Sequence, residues 1–437
     1  MKILKHRVVK MLFFVAIFLS LVGCSEKAVP VISLVASSSI ADDGKIEALN
    51  NAASEEQILE AMLSILTTEI NEPIVFSFEI NESIDESDES LLESEIEDDT
   101  FLIEHTSEPE TAVIRQLTPD EYRELRPNEI GEIMIVMYHG IIHNAPSNDY
   151  HRNVDDFKDD LQQMYDRGYR LVPIRDLIEN NITVSAGFSP IVLTFDDGLP
   201  SAFSFEEIDG ELVPKKDTAV DIINKFAEEN PDFGRAAVFY INGDSRNVPF
   251  NGAGTLAERF DYLIENGYEI GNHTFNHLQM SRLDSEQIQQ ELALIQKLVT
   301  DHIGHYEIQS LAYPFGLRPK EDIRHFALSG SSEGVSYNHK WALNVGQSGR
   351  SSAPNNVRFD PLNIPRVRST NYAVTDLGWS FTHYDQNPHL KYISDGDPGK
   401  ISVPSDQIAK LDKDTLGDKI LYIYDVEDEV EMTYSDE

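Results

Sequence analysis

From about residue 117 onward, short apolar runs alternate with stretches of helical period. The run "EIMIVMYHGI", residues 132–141, is nearly continuous in apolar residues and predicts a buried strand. In "NVDDFKDDLQQMYDRGY" the apolar residues Phe157, Leu161 and Met164 recur every three or four positions, which predicts an amphipathic helix. The same reading makes strands of "RLVPI", "PIVLTFDDG", "RAAVFYING", "EIGNHT", "SLAYPFG", "WALNVG" and "NIPRV". It makes helices of "DTAVDIINKFAEEN", "TLAERFDYLIENGY", "DSEQIQQELALIQKLVTDHIG" and the short "DIRHFAL". Strand and helix alternate about seven times. That order argues for a parallel α/β architecture, and a single barrel fits a segment of roughly 280 residues. In a barrel the functional groups stand at the C-terminal ends of the strands, where "YHG", "DDG", "NHTFNH" and "YPFG" all fall.

The chain ahead of this pattern has a different texture. Lys2, Lys5, His6, Arg7 and Lys10 precede an apolar stretch from Met11 to Val22. The stretch has the length of a secretory signal and is short for a span of about 20 residues. It ends in Leu21-Val22-Gly23-Cys24, which resembles the lipobox of bacterial lipoproteins, so Cys24 is the expected lipidation site. Residues 1–23 are thus expected to be the signal peptide and 24–115 an acidic, disordered membrane-proximal spacer. The spacer holds one predicted helix, "SEEQILEAMLSILTTEI". Residues 116–405 are the expected catalytic domain and 406–437 an acidic tail. The implied location is extracytoplasmic, lipid-anchored at the cell membrane. The formal net charge of −41, with no Lys or Arg between Ile46 and Ile114, argues against nucleic acid and against anionic lipid held by a basic patch.

Candidate chemistry begins at "SPIVLTFDDGLP", residues 189–200. A buried strand has no structural reason to end in two neighbouring carboxylates, Asp196 and Asp197. In "EIGNHTFNHLQMS", His273 and His277 lie four positions apart, which on a helical turn puts both imidazoles on one face. Catalytic zinc takes three protein ligands and leaves one position open. Asp197 is the economical third ligand, and Asp196 then stays free to take a proton from water.

Together "TFDDG", "HTFNH" and "AYPFG" resemble the central motifs of polysaccharide deacetylases with a NodB-homology domain, over roughly residues 130–395. The resemblance implies a distorted (β/α)7-type barrel and a metal-dependent hydrolase acting on C–N bonds other than peptide bonds. It implies removal of N-acetyl groups from an amino-sugar polysaccharide such as a GlcNAc polymer of matrix or cell wall. It makes Asp196 the catalytic base and Asp197, His273 and His277 the ligands of a metal expected to be zinc, with cobalt, nickel or manganese as alternatives. The Arg that often precedes the proline of the third motif is absent, since Ala312 and Tyr313 stand there, and no late Leu-x-His motif is found. "VMYHGI" and "NIPRV" resemble the poly-N-acetylglucosamine deacetylase branch, which implies His139 as the acid and Arg366 as the residue orienting Asp196. The backbone N–H of Tyr313 is the expected oxyanion donor. Phe195, Phe275, Tyr313 and Phe315 lie near these motifs and offer rings that could stack on sugar, with most of them expected to be core. The alternatives are a peptidoglycan or chito-oligosaccharide deacetylase, an O-acetyl esterase, and a catalytically silent glycan-binding lipoprotein.

Overall fold

The computed structural model describes residues 116–144, 146–243, 248–345, 350–370 and 376–426, together with the backbone of Ile32–Ala36 and Phe76–Ile80. The chain divides into two units, Met1–Thr106 and Ser107–Glu437. In the first, Ile32–Ala36 pairs antiparallel with Phe76–Ile80. Both segments are rich in apolar and β-branched residues, and both lie within the stretch read from sequence as a spacer. The leader, Cys24, the helix expected in "SEEQILEAMLSILTTEI", the acidic run after Ile80 and the last residues of the tail lie outside the described residues.

The second unit is built on seven parallel strands: β1 (Glu132–Tyr138), β2 (Ser189–Phe195), β3 (Val238–Ile241), β4 (Glu269–Asn272), β5 (Ser310–Ala312), β6 (Trp341–Val345) and β7 (Ile364–Arg368). Their order around the sheet follows the chain, and β7 closes on β1 through Val367↔Val136 and Arg368↔Met137. The ring is therefore a closed (β/α)7-type barrel, as the alternation predicts. "RLVPI" contributes only Tyr169–Leu171, which pairs with the first half of β2 beside the ring. Helices α1 (Val154–Asp166), α2 (Ala219–Glu229), α3 (Leu256–Glu265), α4 (Ser285–Ile303) and α5 (Leu377–Gln386) accompany the barrel.

Successive side chains of a strand face opposite sides, and this parity positions the chemistry. Met134, Val136, Leu193 and Phe195 pack in one cluster with Phe157, Leu161 and Met164 of α1. Ile133, Ile135, Val192, Tyr240, Leu343 and Ile364 pack in another, which fills the barrel. Counting by two from these inner positions reaches His139 after β1, Asp196 after β2 and Arg366 within β7. These three polar groups arrive together at the C-terminal end of the barrel, above the apolar side chains of the inner cluster.

Three elements were not legible in the pattern. The stretch after "DDG" contains a hairpin of Phe205–Ile208 and Glu211–Pro214. The helix α5 follows β7. Lys400–Pro404 pairs parallel with Ile420–Tyr424, so regular structure continues past residue 405, where the acidic tail was expected to begin.

Candidate active site

Asp196 is almost wholly buried and meets Arg366 in a two-bond fork: Nη1 donates to Oδ1 at 2.6 Å and Nη2 to Oδ2 at 2.8 Å. Arg366 is itself fixed, because Nη1 also donates to Thr194 Oγ1 at 3.1 Å and Nε to the Asn344 carbonyl at 3.3 Å. Burial alone would raise the pKa of Asp196. Arg366 and then His273 outweigh it and hold the carboxyl well below the usual carboxylate range. The pair is thus an ionised carboxylate locked in one orientation, with the Arg366 guanidinium in the position that no arginine beside the third motif supplies.

Asp197 turns away from its neighbour. Its φ of 72° is left-handed, a conformation that aspartate tolerates better than bulky residues do, and it brings the carboxylate toward the histidines. Asp197 Oδ1 lies 3.6 Å from His273 Nε2 and 3.4 Å from His277 Nε2. One ligand atom from each of these three residues falls within 4.8 Å of the others. His273 Nδ1 lies 2.7 Å from the Ala312 carbonyl, which can only accept. The Nδ1–H tautomer is therefore set, and the lone pair of Nε2 faces the cluster. Two nitrogens and one carboxylate, with a supporting hydrogen bond behind a ligand, form the donor set a catalytic divalent metal requires.

The two histidines do not share a helical turn. His273 follows β4 directly, and Thr274 and His277 both have positive φ, 59° and 53°. A left-handed β-branched residue persists only where its surroundings over-determine it. Here Thr274 N–H donates to Asn272 Oδ1 at 3.0 Å, and its Oγ1 accepts from Leu278 N–H at 3.1 Å. Asn242 Nδ2 donates to the carbonyls of His273 and Thr274 at 2.7 and 2.9 Å. Glu291 on α4 accepts from both the backbone N–H and the side-chain amide of Asn276, each at 2.7 Å. Asn242, Asn272 and Glu291 are positioning residues that sequence reading did not single out. Glu291 carried a signal, being an acid on the same helix face as Ile288, Leu292 and Ile295.

His139 stands at the end of β1, inside the mouth. Burial lowers its pKa, and Asp196 and Asp197 partly restore it. His277 is also lowered, by burial and then by His273. Tyr313 does not fill its expected role. Its N–H donates to the Leu343 carbonyl at 2.9 Å, because Tyr313 extends the ladder between β5 and β6. Its ring is buried with the hydroxyl donating to the Leu362 carbonyl, so it is no sugar platform either. Phe195 is likewise core. Phe315, one turn further on, is exposed, with its ring 4.6 Å from that of His277. Among the described residues its backbone N–H has no acceptor.

The parallel barrel thus carries an arginine-held carboxylate beside an Asp–His–His cluster at the C-terminal ends of its strands. Residues 184–327 match the family model of polysaccharide deacetylases, and this part of the chain is a polysaccharide deacetylase domain. His139 and Arg366 lie outside the matched span. The Bacillus subtilis (strain 168) protein YxkH, whose name assigns it to the same family, is 22% identical over 215 residues. That match covers 48% of this chain and 66% of the relative, just under two thirds of its length. Among solved structures, the Streptococcus pyogenes deacetylase PplD in complex with acetate is 20% identical with a TM-score of 0.40, over 54% of this chain and 92% of that one. The Ammonifex degensii protein IcaB is 15% identical with a TM-score of 0.39, over 58% and 96%.

Proposed function

We propose that the protein is a metal-dependent hydrolase that removes N-acetyl groups from an amino-sugar polysaccharide, a polymer of N-acetylglucosamine. The observation that carries this reading is the convergence of Asp197, His273 and His277 beside the buried Asp196–Arg366 pair, within the segment that matches the deacetylase family.

Asp197, His273 and His277 would hold a divalent cation, most simply zinc, which when bound would supply Lewis-acid chemistry for amide hydrolysis. Asp196, fully ionised and unable to rotate, accepts the proton of the attacking water. Phe315 N–H replaces that of Tyr313 as the donor to the oxyanion that develops on the carbonyl. His139, across the mouth, gives a proton to the departing sugar nitrogen. Arg366 touches no substrate in this scheme and acts by fixing the base. Acetate release from N-acetylglucosamine polymers, lost on chelation and restored by zinc, tests the reading; release that survives chelation contradicts it.

Lipidation of Cys24 places this activity on the outer face of the membrane, where an envelope or matrix polymer is reached. Cys24→Ala would release the protein into the soluble fraction, and unchanged membrane retention would argue against the anchor.

A further inference from the structure

Two large aromatic rings stand exposed at the mouth of the barrel, and the proposed chemistry uses neither. Tyr150, in the segment between β1 and α1, is 74% exposed with its ring centroid 6.0 Å from that of His139. Phe315, after β5, is 57% exposed and packs against His277. Three steps around the ring separate β5 from β1, so the two rings reach the mouth from opposite sides of a seven-stranded barrel.

The backbone is held at both positions. Asn148 Oδ1 accepts from the N–H groups of Tyr150 and His151 at 2.8 and 3.2 Å. Gly140 N–H donates to the Tyr150 carbonyl at 3.3 Å. Phe315 has a φ of 59°, a left-handed conformation that a bulky side chain rarely adopts. Its neighbour Gly316 is also left-handed, and a Cβ there would lie 2.9 Å from Asn344 Oδ1 and 3.0 Å from the Val345 carbonyl. A strained turn that holds an apolar ring in water beside a metal ligand points to a ligand rather than to folding.

We propose that Tyr150 and Phe315 are sugar platforms flanking the reaction centre. A linear, β-linked N-acetylglucosamine strand then crosses the mouth and is gripped on both sides of the acetamide, so that the enzyme works on internal residues. The proposal rests on the deacetylase reading for the identity of the sugar. Flat aromatic faces suit the C–H faces of pyranose rings, and such contacts add affinity with each platform the strand reaches.

Calorimetric titration of the zinc-loaded full chain with β-linked N-acetylglucosamine oligomers of two to six units tests it, with acetate release followed in parallel. Affinity of the wild type is expected to rise with oligomer length. Tyr150→Ala should weaken hexamer binding about tenfold and flatten the length dependence, with Tyr150→Trp restoring both. Phe315→Leu, which keeps the backbone and removes the flat face, should weaken hexamer binding by a similar factor. Wild-type affinity and length dependence in Tyr150→Ala, or no oligomer binding by the wild type, would overturn the proposal. Aromatic-dependent binding without acetate release would sink the deacetylase reading and leave the platforms standing. Acetate release with no dependence on Tyr150 would do the reverse.

Discussion

Arg366 and Asp196 meet through two hydrogen bonds, 2.6 and 2.8 Å long, from strands that adjoin through β1 in the barrel ring, and both side chains are almost fully buried. The arginine holds the Asp196 carboxylate in one direction and lowers its pKa. Arg366→Ala leaves a buried carboxylate without its partner, which costs on the order of 3–5 kcal/mol of stability. It also lets burial push the pKa of Asp196 up, so the acid limb of kcat/KM should move to higher pH. Arg366→Lys keeps a charge and loses the fork, and should fall between the two. An unmoved acid limb in a folded Arg366→Ala variant would remove the orienting role.

Metal affinity should depend on more than the three ligands. Titration of the wild type is expected to give one zinc per chain. Asn242→Ala frees the carbonyls of His273 and Thr274 and should weaken binding about 10–100-fold, the range for loss of a supporting contact. His277→Ala removes a ligand and should weaken it more. Wild-type zinc affinity in His277→Ala would show that the cluster is not the site.

His139 donates a proton only when it carries one. Burial lowers its pKa below that of an ordinary histidine, about 6.5, and a cation nearby pushes in the same direction. Turnover should therefore fall as pH rises through this depressed pKa, giving an alkaline limb that His139→Ala removes along with most of the rate. A profile of His139→Ala with the same limb would assign the acid to another group.

Much of this site was legible along the chain because its groups lie at strand ends. Alternation places Val192, Thr194 and Asp196 on one face of β2, and Ile364 and Arg366 on one face of β7. The grouping of Asp197 with His273 and His277 was expected from charge and spacing, and the three do lie together. What stayed hidden was hydrogen bonding between distant segments. Nothing local in "AYPFG" says that Leu343 occupies the Tyr313 N–H, or that the next free N–H belongs to Phe315. The His273–His277 loop reads as one helical turn by spacing, but Asn242, Asn272 and Glu291 hold it in a left-handed path. The helix α5 was missed although Leu377, Phe381 and Tyr384 repeat the three-and-four spacing of Phe157, Leu161 and Met164 in α1.

Far from the site, Glu129 gives the fold its own pH response. It is buried and accepts from Ser402 N–H at 2.7 Å, with Tyr392, Ser394 and Asp395 close by. Burial and then the neighbouring Asp395 raise its pKa to about 8. The folded state then holds a proton that the unfolded chain loses near the ordinary value of about 4.3. Its contribution favours the fold below that value and is lost as pH rises toward about 8. Thermal midpoints should decline across this window, and Glu129→Gln should flatten the decline. An identical slope in the variant would assign it elsewhere.

The central claim is that Asp196 is the base beside a metal it does not ligate. The direct measurement is zinc content and acetate release of Asp196→Asn on an N-acetylglucosamine polymer. The account predicts one bound zinc, as in the wild type, and turnover reduced by roughly 10²–10⁴-fold. Near-normal acetate release from the zinc-loaded variant would contradict it.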